Sequence, residues 1–123
     1  MTIQQNINLD AFSEALNDKV DKDGYYGFPT GEYLDISSIV PIDGVAHTYT
    51  APANGFIFVT KRAAANSQYV GAYDDQLYAH YEVWGTTDHM CNLFLPLRKG
   101  QSIIIRGNAS GSDFIARFIY AST

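Results

Sequence analysis

The sequence predicts an all-β fold: an antiparallel β-sandwich of jelly-roll-like character, preceded by one short N-terminal helix. Two blocks carry that prediction. In Tyr49-Thr-Ala-Pro-Ala-Asn-Gly-Phe-Ile-Phe-Val59 a Pro/Asn/Gly turn feeds a strand of large residues. In Leu93-Phe-Leu-Pro-Leu-Arg-Lys-Gly-Gln-Ser-Ile-Ile-Ile105 one strand breaks at a Lys-Gly turn and another follows at once. Short apolar runs joined by turns this explicit pair antiparallel. A third observation agrees: from residue 46 onward the text carries strand periodicity throughout, with neither an internal repeat nor a low-complexity tract.

Residues 1–24 read as a helix and oligomerisation segment. Asn8 or Asp10 supplies a side-chain oxygen for the free N–H groups of a helix start. Leu9, Phe12, Leu16 and Val20 then recur at the spacing of one helical stripe. Lys19 and Lys22 stand where cations oppose the helix dipole, and Asp23-Gly24 stops the helix. A helix of ~13 residues is marginal alone in water. Its stripe needs a second surface, either the sandwich itself or copies of the same helix in a short bundle.

Residues 25–45 read as a linker with short extended pieces. Gly27, Pro29, Gly31, Pro41 and Gly44 punctuate it, and Leu34-Asp-Ile-Ser37 is a candidate first strand. Tyr25, Tyr26 and Phe28 are unusually aromatic for a linker and call for a surface to lie against. Residues 46–123 form the head domain, with strands expected at 46–51, 55–62, 67–73, 76–84, 91–97, 101–107 and 113–121. Seven or eight strands at this spacing, with no helix between them, indicate a sandwich or jelly roll.

Alternation assigns the faces. In Gln76–Trp84, Leu77, Ala79, Tyr81 and Val83 share one face, and Tyr78, His80, Glu82 and Trp84 share the other. Asp113–Ala121 is apolar on both faces apart from Arg117, and Phe56 and Phe58 oppose Ile57 and Val59. A sandwich strand needs only one apolar face. A second one implies a further buried surface, and contact between copies of the chain explains it, since aromatics are enriched at interface cores. Phe58, Tyr78, Trp84 and Ile119 join Leu9, Phe12, Leu16 and Val20 as expected interface residues.

The 123 residues carry a net charge of −5, 46% hydrophobic residues, nine Tyr and seven Phe. An acidic chain gains nothing from phosphate neutralisation, so neither nucleic acid nor an anionic membrane surface is an expected partner. No apolar run approaches the ~20 residues of a membrane helix, so membrane insertion is not expected. Met1-Thr-Ile-Gln-Gln-Asn lacks the basic and apolar segments of a secretory signal, so a product acting outside a cell is expected to leave by another route, such as lysis with an assembled particle. One cysteine, Cys91, excludes an internal disulfide and reads as a buried thiol.

Candidate chemistry is sparse. His47, His80 and His89 with Cys91 invite a metal, yet only His89-x-Cys91 has ligand spacing, so no metal is expected. Asp74-Asp75 reads as a hairpin tip, because Asp tolerates turn geometry. Ser110 lies in a polar loop without the strand–turn–helix setting of a nucleophile. No convergent set of titratable groups stands out, so neither an enzyme nor a cofactor is expected.

Thr48–Val59 and Leu95–Ile105, read with Phe12-Ser-Glu-Ala-Leu-Asn-Asp-Lys-Val-Asp-Lys-Asp23, resemble the trimeric head domains of bacteriophage and prophage tail fibres. Those heads are sandwiches of the tumour-necrosis-factor-like type and share no catalytic residues. The resemblance implies a homotrimer at a virion tail-fibre tip, where other tail proteins are neighbours and the partner is a host cell-surface glycan or protein held by many weak contacts. On that reading the expected receptor residues are Tyr73, Asp74, Asp75, Tyr78 and Trp84. Two other readings fit the same residues: a structural virion component touching only virion proteins, and a lectin-like sandwich at a bacterial surface or secreted. The stripe makes its own prediction. Leu16→Asp places a charge in an apolar helix contact; light scattering should show weakened assembly, while circular dichroism should show an intact sandwich.

Overall fold

The computed structural model describes residues 27–74 and 79–122. They form eight strands: β1 (Pro29–Asp35), β2 (His47–Thr50), β3 (Gly55–Arg62), β4 (Gln68–Tyr73), β5 (Ala79–Gly85), β6 (Met90–Leu97), β7 (Ser102–Gly107) and β8 (Ile115–Ala121). Two four-stranded antiparallel sheets result. Sheet A runs β1-β8-β3-β6 and sheet B runs β2-β7-β4-β5. Strand indices of four of the pairs, β1·β8, β2·β7, β3·β6 and β4·β5, add to the same total. The chain is therefore one long antiparallel ribbon bent back on itself, and β3·β8 with β4·β7 close it sideways into two layers.

The predicted strands fall close to the observed ones, and β3 falls on its predicted residues. The stretch read as a linker also holds β1, which pairs with β8 on the edge of sheet A. Pro29 tolerates the first position because a strand end needs no N–H from it. The register then shifts before Tyr33, and the Thr30 hydroxyl donates to the Tyr120 carbonyl at 2.8 Å across the irregularity. After β1 the chain turns through Ile36–Val40, where the Val40 N–H donates to the Ile36 carbonyl at 3.0 Å. Ile36, Val40 and Ile42 enter the core. Their spacing follows this turn rather than a strand or helix period, so alternation did not mark them. The predicted helix and its stripe Leu9, Phe12, Leu16 and Val20 lie outside the described residues.

The core is the layer between the sheets. Sheet A sends in Ile57, Val59, Cys91, Leu93, Leu97, Ala116 and Phe118, and sheet B sends in Tyr49, Val70, Ala72, Ile103 and Ile105. Phe118 bridges the layers: it is fully buried on β8, with its ring 5.8 Å from that of Tyr49 on β2. Cys91 is buried as read, and burial alone pushes its thiol pKa up.

Strand directions give the sandwich two poles. At one, Gly27 lies against Ser122, whose N–H donates to the Phe28 carbonyl at 2.8 Å. β3 starts there at Gly55. At the other pole β3 ends at Arg62, β4 starts, β5 ends, and β6 and β8 start. Three loops meet at that far pole. Arg62 Nε donates to Asp113 Oδ2 at 2.8 Å, Gln68 Nε2 donates to Ser110 Oγ at 2.9 Å, and Asn66 Oδ1 accepts from the Thr87 N–H at 3.1 Å.

Gly55 and Gly31 make a test of the packing. A Cβ on Gly55 would lie 2.3 Å from the Ile119 carbonyl oxygen and 2.5 Å from the Phe118 ring, whereas one on Gly31 would meet nothing within 4 Å. Gly55→Ala should cost about 1–3 kcal/mol in urea unfolding, as overpacking does; Gly31→Ala should leave the midpoint nearly unchanged.

Candidate functional site

Inward-facing residues fill the core, and both outer faces of the described sandwich are unusually aromatic. On sheet A the register lays out two rows: Tyr33, Ile119, Phe56 and Pro96, then Asp35, Arg117, Phe58 and Phe94. Phe56 stacks on Phe94 with ring centroids 5.1 Å apart, and Phe58 meets Phe94 edge-on at 6.3 Å. Arg117 lies over the Tyr33 ring at 4.2 Å. Tyr33 remains 49% exposed and Phe94 46% exposed. This face holds Phe58 and Ile119, two of the expected interface residues. Tyr33, Phe56 and Phe94 complete it; Phe56 was legible from alternation, but Phe94 was not, because Phe94 and Leu95 are both large and no alternation separates them.

On sheet B the outer face centres on β4 and β5. Register sets Tyr69 opposite Trp84 and Gly71 opposite Glu82. Tyr69 and Trp84 stack with ring centroids 4.6 Å apart, while Trp84 stays 58% exposed. Tyr73, two residues beyond Gly71 on the same face, leans back over it. A Cβ on Gly71 would lie 2.8 Å from the Tyr73 hydroxyl and 3.0 Å from its ring, so a side chain there would push that ring aside. The Tyr73 hydroxyl donates to Glu82 Oε1 at 2.8 Å, and Trp84 Nε1 donates to Glu82 Oε2 at 3.1 Å. The Glu82 carboxylate is thus held by one donor on each oxygen. Across Gly71 from it stands the exposed Arg106 of β7. Beyond Tyr69 lie the far-pole loops, and Asn108 Oδ1 accepts the Tyr69 N–H at 2.8 Å.

Sequence reasoning placed Tyr73, Asp74, Asp75, Tyr78 and Trp84 in one receptor set. Asp75 and Tyr78 lie outside the described residues. Tyr73 is 8% exposed, and its hydroxyl is engaged by Glu82. Asp74 follows β4 at the end away from Trp84. At ~3.3 Å per residue it stands about 17 Å along the strand from Tyr69, too far to share one small ligand with Trp84. Trp84 also parts from Phe58 and Ile119, which face out of the other sheet, so these three do not share a surface. Glu82 was visible beside Trp84 on one face of its strand, while Tyr69 and Gly71 emerge only from the cross-strand register.

Other candidates resolve plainly. Cys91 points into the core, and the His89 Nδ1 is bonded to the Thr86 hydroxyl. Ser110 accepts from Gln68, as a loop hydroxyl does. Among the described residues no three of His, Cys, Asp and Glu converge to hold a metal ion.

No family model matches the chain, and neither a characterised protein nor a solved structure matches it.

Burial, then the bonds to Glu82 and Tyr69, push the Tyr73 phenol pKa far above the usual value near 10. The folded state therefore holds this proton more tightly than the unfolded state. Its contribution is complete below the unfolded value of about 10 and drains away as pH rises through the folded value. Urea midpoints should accordingly fall above about pH 10 in the parent chain. In Tyr73→Phe that alkaline decline should be shallower.

Proposed function

We propose that the chain is a jelly-roll head that assembles as a homotrimer and serves as a non-enzymatic attachment module at a bacteriophage tail-fibre tip, binding a host cell-surface receptor. The nested strand pairing is that of a jelly roll, two Greek-key turns wound from one ribbon. The observation that carries the reading is the outer face of sheet A. Tyr33, Phe58, Phe94 and Ile119 form an aromatic and aliphatic surface with Arg117 set among them. Depletion of charge and enrichment of aromatics and Arg mark the cores of protein interfaces. A second copy of the chain is its natural occupant, because in a threefold ring each protomer buries such a face against the next without leaving an open end.

The two poles support the same reading. Residues 1–26 join the sandwich at Gly27, and the Trp84–Tyr69 pair stands at the opposite pole. A head held at its Gly27 pole presents that pair at the opposite end of the described sandwich. Three copies then present three weak sites in parallel, and avidity supplies the strength.

Light scattering on the full chain tests the assembly: a mass of three 13.6 kDa protomers is expected. Phe94→Asp, a change on an exposed face, should return the mass to a single protomer with an unchanged circular dichroism spectrum. In whole-cell pull-downs the parent should bind bacterial envelopes, and Phe94→Asp should lose most of that binding. A monomeric parent that binds no envelope would overturn the proposal; tight capture of a tail protein with no envelope binding would favour a purely structural virion role.

A further inference from the structure

We infer that the Trp84–Tyr69–Glu82 cluster on the outer face of sheet B is a binding site for a neutral sugar ring. This rests on the attachment reading and names its ligand. Three features of the site argue for that class.

The first is the platform. Trp84 offers a broad, flat ring that Tyr69 backs at 4.6 Å and the Glu82 bond fixes in orientation. A pyranose presents a face of C–H groups that matches such a ring in size and polarity. Stacking there costs little ordering, because the indole is held before the ligand arrives.

The second is the carboxylate. An ionised carboxylate has about four acceptor sites. Among the described residues Tyr73 and Trp84 take one on each oxygen, and the other site on each oxygen is the one a ligand would use. Two acceptors a carboxylate-width apart suit the two O–H donors of a vicinal diol. Gly71, with no side chain, leaves the space over it to the Tyr73 ring that bonds the carboxylate.

The third is charge. Arg106 and Glu82 stand on opposite sides of Gly71, so the patch is locally close to neutral. An anionic sugar would meet Glu82 at the platform, and a cationic peptide would meet Arg106 beside it. A neutral polyol meets neither penalty. Asn108, whose oxygen is engaged by Tyr69, adds amide donors at the platform's far edge.

The chain holds a single Trp, so its intrinsic fluorescence reports on Trp84 alone. Oligosaccharides built from glucose, galactose, mannose and N-acetylhexosamines are titrated into the full chain, with polysialic acid and an oligo-lysine peptide as the charged arms. At least one neutral series should shift the emission saturably at millimolar concentration. By calorimetry Trp84→Ala should weaken that binding at least about tenfold, the scale of a lost aromatic stack. Glu82→Gln should weaken it severalfold, because one acceptor becomes a donor, and Tyr73→Phe should weaken it less than either. Circular dichroism checks that each variant folds. Silence across every neutral series, or a response only to the charged arms, overturns the inference. Envelope binding separates the two levels: parent and Trp84→Ala chains that bind envelopes equally would sink this site while leaving attachment standing, whereas a parent that binds none would sink attachment itself.

Discussion

The contact between Phe118 and Tyr49 is the constraint on which the rest depends. Phe118 belongs to β8, which lies between β1 and β3 in sheet A, and Tyr49 belongs to β2 at the edge of sheet B. The same ring is stopped from behind by the backbone at Gly55 and meets Tyr120 edge-on at 5.3 Å. One side chain thereby fixes the separation of the layers, the start of β3 and the seat of β8. Full burial of a Phe is among the larger single contributions a small domain has available. Phe114 and Tyr120 pack against this layer, while Tyr33, Phe58, Phe94, Tyr69 and Trp84 stand on the outer faces.

That arrangement divides the molecule's aromatic surplus in two. Sheet A carries rings that stack on one another in a broad field, the form that suits a protein partner. Sheet B carries fewer rings, each tied to a polar group: Trp84 to Glu82, Tyr73 to Glu82, Tyr69 to Asn108 through its backbone. Oriented polar groups around a flat ring suit a small, hydroxylated partner. The difference lies in hydrogen bonding rather than in composition, since both faces draw on the same residue types.

Much of the fold was legible in the sequence, because alternation and turn residues act locally. Asn54-Gly55 and Lys99-Gly100 mark their turns, and the observed strands sit on the predicted runs within a few residues. β1 was only half visible: Pro29, Gly31 and the register shift before Tyr33 blur its period, and only pairing with β8 makes it a strand. Ile36, Val40 and Ile42 were missed as core because a turn, not a repeat, buries them. The outward character of Phe58, Ile119 and Trp84 was read correctly, but which of them share a face is a property of strand order. Trp84 was found as a candidate; its partners Tyr69 and Gly71 became visible only once β4 and β5 were aligned. Asp74 was drawn into the same set by proximity in sequence, which in a hairpin measures distance along the strand and not across the sheet.

The polar arrangement of the sandwich has a mechanical corollary. A pull applied between Gly27 and Trp84 would run lengthwise, parallel to the strands. Under such a pull neighbouring strands must slide past one another, so rungs of a ladder are strained together instead of opening singly. Such a body yields late under load. β1 follows Gly27 directly and would take that strain first, through a ladder to β8 whose register shifts between Pro29 and Tyr33.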